Sequence, residues 1–448
     1  ASLDDYWSLM QNAPVAAGGF IWAMLDEGAF RTDSGVLDTA TNAAPDGVFG
    51  PYREKEASFY SIRQIWSPIQ IALAELGPDF DGSLPVENRF DETDLAAVRF
   101  HWRLDGFTIS GPGSQLLADG DASVASIAPG TSGPLELGLP ADWRTADVLG
   151  LEASDAAGQT IARWSWPVRS AAAIRQGLVP TTSVTASAVV GSADAGAGDL
   201  RVAAGVFTYT FSRATGQLVG VDKAGQTFSL GQGPALVAGE ASLESLDVSQ
   251  DGMDTVVAAT YSGNLESVTW RVHGNGWLSL DYRYTLSGSY DVMGVTFDYP
   301  EDRVEGLDWL GRGPFRSWRN RLKGPWHGLW SRDTNDAITG QRWEYPEFKG
   351  YFADVDWARL RTSEGPIHIV FGTDHLFLRN LTPTEAQNPL LGPMSFPSGN
   401  LSFLHGIPAI GTFTLGPADL GPQSQPYAVD GPFEGTVSFY FGDFETVR

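Results

Sequence analysis

Residues 15–25 are the sequence feature that most constrains the fold. They read VAAGGFIWAML, a run that is apolar throughout and does not alternate with polar side chains. Such a run is typical of a strand buried on both faces, as in a parallel sheet covered by helices. The chain contains only one strand of this kind, whereas a closed α/β barrel needs eight. We therefore expect this strand to belong to a barrel whose other strands lie on another segment.

Helical patterns flank this strand. Residues 2–13 carry apolar side chains at helical spacing, with Ser2 as the candidate N-cap. Residues 54–66 show the same spacing. Because helix, buried strand, loop and helix follow one another as in βα repeats, residues 1–68 are predicted to be the last part of a (β/α)8 barrel.

The pattern changes from Ile69 onward to short strands in which apolar and polar side chains alternate. Residues 98–104 are the clearest case, and residues 161–168 are interpreted as the closing strand. Regularly spaced turns favour an immunoglobulin-like β-sandwich at residues 69–170. Residues 171–200 are rich in Ala, Ser, Thr and Gly, which is typical of a linker.

Strand patterns also dominate residues 201–448. Residues 202–221 and 278–286 alternate, and no helical stretch is recognisable in this part. One large sandwich is expected here. The whole chain is therefore predicted to be mainly β: the C-terminal part of a (β/α)8 barrel, then an immunoglobulin-like β-sandwich, then a large β-supersandwich.

The composition limits the partners and the compartment. Lys and Arg number 29 against 54 Asp and Glu, a net charge of −25, which disfavours nucleic acid and membrane partners but not a neutral sugar. The absence of Cys excludes disulfides and thiolate chemistry, and no apolar run reaches the roughly 18 residues of a membrane span. The sequence begins at Ala1 without Met or a signal peptide, so we expect a preceding segment. The compartment stays open, with a periplasmic or extracellular location slightly favoured over the cytoplasm.

The end of the apolar strand carries the candidate site residues. Trp22 could offer a flat platform to a pyranose ring or could be a core side chain, and the sequence favours neither. Asp26 and Glu27 follow, but adjacent side chains on a strand point to opposite faces. Because a glycosidase needs two carboxyl groups aimed at one bond, solvation or hydrogen bonding is favoured over catalysis for this pair.

Two further groups of residues favour structural interpretations. Residues 309–357 contain six Trp residues interleaved with Arg, for which packing at a domain interface is favoured over a carbohydrate groove. The six His residues are scattered without metal-ligand spacing, so no metal ligand is assigned. His101 and His368 lie in strand patterns and are interpreted as packed side chains. Phosphate loops, nucleophile elbows and dinucleotide fingerprints are not found.

Several motifs in order resemble family 2 glycoside hydrolases. GGFIWAMLDE at residues 18–27 resembles the motif of barrel strand eight, which follows the catalytic nucleophile in that family. Further similarity to the β-galactosidases of this family is found, in the expected order, at residues 46–49, 58–69, 86–95, 311–314, 320–324, 346–350 and 355–358. The chain therefore resembles the C-terminal half of such an enzyme, and the resemblance implies a galactose mutarotase-like sandwich at residues 201–448.

The resemblance also implies an activity. It implies retaining hydrolysis of a terminal β-linked sugar, with a β-galactoside or related oligosaccharide as substrate. Trp22 matches the Trp that stacks on substrate, and Asp46 matches an Asn or Asp near the sugar and, in some members, near a sodium ion. Both catalytic Glu residues and the usual magnesium ligands would lie before Ala1. Mg²⁺ or Na⁺ is thus expected only in the complete enzyme, and this chain alone is expected to be inactive.

Three hypotheses follow. The first is one part of a complete hydrolase, whose partner is a missing N-terminal segment or a separate chain, with a homo-oligomer also possible. The second is a non-catalytic carbohydrate-binding or scaffolding protein derived from such an enzyme. The third is another family 2 specificity, such as β-glucuronidase or β-mannosidase, which the large C-terminal sandwich disfavours.

Overall fold

Strands dominate the computed structural model, which describes residues 2–39, 47–107, 113–179, 189–190, 198–334, 348–383, 396–411 and 415–443. The predicted mainly β class is therefore confirmed. No helix in these ranges is long and apolar enough to cross a membrane. Short 3-10 turns connect some strands, at Leu95–Ala97, Trp143–Thr145, Glu301–Arg303, Pro417–Asp419 and Pro422–Ser424.

The N-terminal region contains both predicted helices. They are α1 (Leu3–Asn12) and α2 (Ala57–Ile65), and a short hairpin of β1 (Gly28–Phe30) and β2 (Leu37–Thr39) lies between them. Ser2 precedes α1 as predicted, but its side chain does not cap the helix. The Ser2 hydroxyl instead forms a hydrogen bond with a distant part of the chain, because the residue is fully buried there.

The predicted buried strand at residues 15–25 is not found, which corrects the sequence interpretation. The segment pairs only at its end, where the amides of Val48 and Phe49 donate to carbonyls of Ala23 and Met24 and Leu25 forms a parallel bridge with Phe49. Val15, Phe20 and Trp22 are exposed. The physical reason is the lack of flanking strands within the described residues, so the backbone has no ladder to join and the side chains have no core to enter.

The middle region consists of eight strands in two antiparallel sheets. The strands are β3 (Ile69–Ile71), β4 (Ser83–Asn88), β5 (Arg99–Phe107), β6 (Ser114–Asp121), β7 (Ser123–Val124), β8 (Ser132–Glu136), β9 (Val148–Ser154) and β10 (Thr160–Pro167). The sheet orders are β3-β4-β8-β7 and β10-β9-β5-β6. One core contains buried side chains of both sheets, including Leu84, Leu135, Phe100, Leu149 and Trp166. The two sheets therefore form a sandwich-like unit.

A helix, α3 (Ala171–Leu178), occupies the start of the predicted linker, where the sequence analysis expected no regular structure. The Ser170 hydroxyl accepts a hydrogen bond from the Ala173 amide at 3.2 Å and caps the helix, and Ile174 is buried. The Ala-rich composition suited a linker, but Ala is also the strongest helix former. Packing of one apolar face against the adjacent sheet decides between the two.

The remaining strands form two large antiparallel sheets. Their bounds are β11 (Val189–Val190), β12 (Leu200–Ala204), β13 (Phe207–Phe211), β14 (Leu218–Lys223), β15 (Gln226–Phe228), β16 (Gly231–Leu236), β17 (Ala241–Asp251), β18 (Asp254–Gly263), β19 (Leu265–Val272), β20 (Leu278–Tyr290), β21 (Met293–Asp298), β22 (Val304–Gly313), β23 (Trp326–Asp333), β24 (Gly350–Phe352), β25 (Trp357–Thr362), β26 (Ile367–Phe371), β27 (Phe377–Asn380), β28 (Leu401–Gly406) and β29 (Tyr427–Phe441). One sheet has the order β11-β12-β13-β14-β16-β21-β28-β27-β24, with β15 beside β14. The other has the order β17-β18-β19-β20-β29-β26-β25-β22-β23.

Aromatic side chains join the inner faces of these two sheets. The ring of Phe211 lies 5.5 Å from Trp270, and the ring of Phe439 lies 5.7 Å from both Phe297 and Phe403. All five side chains are buried. Such pairs contribute about 0.5–1.5 kcal/mol each beyond the burial of their area. The large predicted sandwich is thus present as two facing sheets with one continuous core.

Candidate functional site

The N-terminal region is anchored to the large sandwich through a buried polar network. The Ser2 amide donates to the carbonyl oxygen of Asn320 at 3.1 Å, and the Ser2 hydroxyl lies 2.6 Å from the Ser424 hydroxyl. The Asn320 side chain donates to Ser424 at 2.8 Å and to the carbonyl of Ile410 at 2.9 Å. These bonds join three stretches that are distant in sequence, so the start of the chain is held in a defined position.

Helix α2 is anchored to the same sandwich by its polar face. The Ser61 hydroxyl donates to the carbonyl of Lys323 at 2.7 Å, and the Gly324 amide donates to the side-chain oxygen of Gln64 at 2.6 Å. Gly324 has a φ of +108°, and an added Cβ would lie 2.7 Å from the Ser61 hydroxyl. A glycine is therefore required at this close approach.

A cavity of about 290 Å³ lies between α1, α2 and this part of the sandwich. Its polar wall is an ion pair between Lys323 Nζ and Asp4 Oδ1 at 2.8 Å, with Gln423 Nε2 donating to Asp4 Oδ2 at 3.3 Å. Its apolar wall includes Ile21 and Ile62. Sequence reasoning missed these polar residues because they come from three separate parts of the chain and carry no local motif.

Trp22 follows Ile21, which lines this cavity, but does not itself line it. Its side chain is 81% exposed, so Trp22 is not part of a hydrophobic core formed by the described residues. An accessible indole is what stacking on a sugar requires. Substrate stacking by Trp22 stays a prediction.

Asp46 lies outside the described residues, but its neighbour Gly47 is described. The Gly47 amide donates to Asp26 Oδ1 at 2.6 Å, and the Asp26 amide donates to the carbonyl of Phe49 at 2.9 Å. Asp26 is buried, whereas Glu27 is exposed. Asp26 therefore joins the two segments that carry Trp22 and Asp46, in agreement with the hydrogen-bonding interpretation and not with an acid/base pair.

The part of the chain that the structure describes contains no set of side chains arranged to bind a metal ion. There, no group of three or more His, Asp or Glu side chains is arranged to hold an ion. His368 is buried in β26, and His101 in β5 lies 2.9 Å from Asp121. Mg²⁺ or Na⁺ thus stays an expectation for the complete enzyme, and the described residues do not by themselves fit either ion.

Three of the six tryptophans at residues 309–357 are core side chains. Trp309, Trp318 and Trp357 are buried, and Trp343 lies outside the described residues. Rings of the N-terminal region and the sandwich meet at Tyr60, which lies 5.7 Å from Trp326 and 5.0 Å from Phe315. These contacts agree with the predicted packing at a domain interface.

A Ser–His–Asp arrangement lies elsewhere, at the edge of β19 and β20. His273 Nδ1 lies 3.0 Å from Asp254 Oδ2, and His273 Nε2 lies 2.8 Å from the Ser279 hydroxyl. Burial lowers the pKa of His273, and Asp254 acts in the opposite direction. Ser279 is only 1% exposed, and Arg175 of α3 donates to its hydroxyl at 3.0 Å. A substrate carbonyl cannot reach this hydroxyl, so the arrangement anchors α3.

Comparison with known proteins supports the resemblance. Residues 203–396 match the family described as "Beta galactosidase small chain". The chain is 23% identical to a β-galactosidase of Arthrobacter sp. (strain B7), over 90% of this chain and 45% of that protein. It therefore spans less than half the length of that relative. The resemblance to the C-terminal half of a β-galactosidase is therefore confirmed.

Proposed function

We propose that this β-galactosidase-related chain is the C-terminal part of a retaining glycoside hydrolase that cleaves terminal β-linked sugars, with β-galactosides as substrates. In this proposal, residues 1–68 end the TIM-barrel catalytic domain and residues 69–170 are an immunoglobulin-like sandwich. Residues 171–200 connect it to the galactose mutarotase-like sandwich at residues 201–448. A preceding segment or a partner chain supplies the rest of the barrel.

The observation that carries the proposal is an uncovered apolar surface, which we call the open face. Of the large apolar side chains exposed among the described residues, twelve lie at or before Trp66 and only six beyond it. The open face comprises the most exposed of the twelve, namely Leu9, Val15, Phe20, Trp22, Met24, Phe30, Val36 and Tyr52. So many exposed apolar side chains in one stretch of the chain support an interaction surface there, because apolar residues exposed singly are ordinary.

The occupant of the open face would be the remaining barrel strands and helices. Residues 15–25 are apolar on both faces, which suits a strand between two parallel neighbours and not a surface loop. The Arthrobacter relative is about twice as long as the region that it shares with this chain, which leaves room for such a segment. The buried network at Ser2 and Asn320 would hold the last barrel strand in register against the sandwich.

The chemistry would then be divided between the two parts. The nucleophile and the acid/base Glu would lie on the preceding segment and hydrolyse the sugar by double displacement through a covalent glycosyl-enzyme. Trp22 would stack on the C–H face of the sugar, and Asp46 would lie near its hydroxyls. The net charge of −25 does not oppose a neutral substrate.

The test compares the chain alone with the chain co-expressed with the polypeptide encoded upstream of it, on a panel of nitrophenyl β-glycosides. We expect nitrophenol release, greatest from the galactoside, only when both parts are present. Trp22→Ala in the complete enzyme should lower kcat/KM several-fold, whereas Leu116→Ala, a change of an exposed apolar residue on β6, should not. Turnover by the chain alone would contradict the proposed division of the carboxylates.

A second measurement tests the open face directly. Amide exchange at residues 15–36 should slow when the upstream polypeptide binds, because a completed sheet would protect these amides. If sugar binds at Trp22 but no partner yields turnover, the alternative of a non-catalytic carbohydrate-binding protein is favoured. The exposed indole of Trp22 in the chain alone is the observation that supports this alternative.

A further inference from the structure

A second and larger cavity lies where the three regions of the chain meet; we call it the junction cavity. It has a volume of about 520 Å³, within the range of about 300–1,000 Å³ that is typical of small-molecule sites. Tyr60 and Arg63 of α2 line one side, and Trp164 of β10 lines another. Asp356 and His375 of the large sandwich line the third side. Concave sites between domains are common places for ligands.

The lining combines aromatic faces with charged groups of both signs. Tyr60, Trp164 and Trp326 supply rings, and Arg63, Asp356 and His375 supply donors and acceptors. Because acidic and basic groups are interleaved, the cavity does not select an ion of either sign. Flat apolar rings beside planar polar groups are suited to a neutral ring that carries hydroxyl groups. The chemistry therefore favours a saccharide.

A buried polar pair in the cavity wall lacks full hydrogen bonding. His327 Nε2 lies 3.1 Å from Asp356 Oδ2, and the two side chains are 3% and 9% exposed. His327 Nδ1 has no hydrogen-bond partner among the described residues. Burial raises the pKa of Asp356, and His327 acts in the opposite direction. A buried nitrogen without a partner is destabilising, and a ligand hydroxyl that accepts or donates a hydrogen bond there would satisfy it.

The junction cavity adjoins the smaller cavity and shares Asp4, Lys323 and Gln423 with it, but the two cavities use different residues of α2. Ser58 and Ile62 of α2 line the smaller cavity, whereas Tyr60 and Arg63 of the same helix line the junction cavity. Residues four apart share a helix face, so the two cavities lie on different faces of α2. A ligand in the junction cavity would therefore contact Tyr60 and Arg63 of α2, which do not line the smaller cavity.

We propose that the junction cavity is a second saccharide-binding site, which accepts one or two sugar rings and does not perform hydrolysis. The proposal rests on the proposed function only in the choice of galactose and lactose as probes. A ligand that contacts α2, the middle sandwich and the large sandwich together stabilises their arrangement, because it binds only when the three are in place.

The experiment titrates the full chain with galactose and with lactose by calorimetry and by saturation-transfer NMR. Trp164→Ala should weaken binding at least tenfold. Because this change could disturb the sandwich, Ala74→Trp provides a second variant: Ala74 is exposed and lines the cavity, so the added ring fills the space without removing a contact. Ala156→Trp, at an exposed turn between β9 and β10, is the matched control and should bind as the unchanged chain does.

The outcomes separate this site from the proposed function. Binding that survives Trp22→Ala but is lost in Ala74→Trp supports the junction cavity. Binding that is lost in Trp22→Ala and unchanged in Ala74→Trp overturns the second site and leaves the proposed function standing. Absence of saccharide binding to the chain also overturns the second site, whatever turnover the complete enzyme shows.

Discussion

The contact between α2 and the large sandwich gives a quantitative prediction for Gly324→Ala. An added Cβ would lie 2.7 Å from the Ser61 hydroxyl and 2.8 Å from the Ser61 amide nitrogen, so α2 must move away. Gly82→Ala is a matched control. Gly82 has a φ of +96°, close to the +108° of Gly324, but no heavy atom lies within 4 Å of its added Cβ.

The magnitude follows from what the two variants share. Backbone strain of about 1–3 kcal/mol applies to both positions. Only Gly324→Ala also disturbs two hydrogen bonds, from the Gly324 amide to Gln64 and from Ser61 to the carbonyl of Lys323. At about 0.5–1.5 kcal/mol each, their loss adds about 1–3 kcal/mol to the opening of this contact. The opening equilibrium of α2 should then increase by about 5- to 150-fold.

Native-state hydrogen exchange measures this opening directly. The amide of Trp66, which donates to the carbonyl of Ile62 at 2.8 Å, reports on the last turn of α2. We expect faster exchange in this helix for Gly324→Ala and unchanged exchange for Gly82→Ala, although both proteins lose some stability. Equal protection of α2 in the two variants would refute the reasoning, because the contact between Gly324 and Ser61 would then contribute nothing to the free energy of opening of α2.

Three further predictions concern other parts of the chain. Hydrogen bonding to Asp354 first, and the charges of Asp354 and Glu75, raise the pKa of His375 to about 9 from an ordinary 6.5. The protonated His375 ring should therefore stabilise the folded state fully below about pH 6.5, and this stabilisation should be lost as the pH rises through about 9. An NMR titration of the ring gives its pKa, and unfolding curves of the unchanged chain and of His375→Gln at several pH values measure the stabilisation. Ser279→Ala should lower the free energy of unfolding in urea by about 1–3 kcal/mol, because it leaves buried hydrogen-bond partners unsatisfied. The variant and the unchanged chain should hydrolyse nitrophenyl acetate at the same background rate. A lower rate in the variant would mean that the hydroxyl is accessible to substrate. Phe439→Ala, in the core of the large sandwich, should lower the free energy of unfolding by about 3–5 kcal/mol. Phe20→Ala on the open face should leave the free energy of unfolding unchanged and improve solubility. A large loss of stability from Phe20→Ala would mean that the face is already covered.

Local patterns were sufficient for much of the secondary structure. The apolar spacing at residues 2–13 and 54–66 predicted α1 and α2. Alternation at residues 98–104 and 278–286 predicted β5 and β20, although both strands extend further. These elements can be predicted from short stretches of sequence, because the helix and strand periods decide which side chains share a face.

The candidate site was only partly predictable. Trp22 was recognisable because it lies in a conspicuous apolar run with a family-like motif. The polar wall of the smaller cavity, formed by Asp4, Lys323 and Gln423, was not recognisable. These three residues belong to separate parts of the chain and have ordinary sequence surroundings, so only their approach in space brings them together.

The sequence by itself determined the mainly β class and the two N-terminal helices. Only the tertiary structure decided the sheet orders, the helix at Ala171–Leu178 and the junction cavity. The pairing of β20 with β29 shows why: Leu278 lies opposite Phe439 on the neighbouring strand, although the two residues are far apart in sequence. Periodicity indicates which face of a strand is apolar, but the choice of partner strand depends on how distant faces pack together, and that free energy is not contained in any short stretch of sequence.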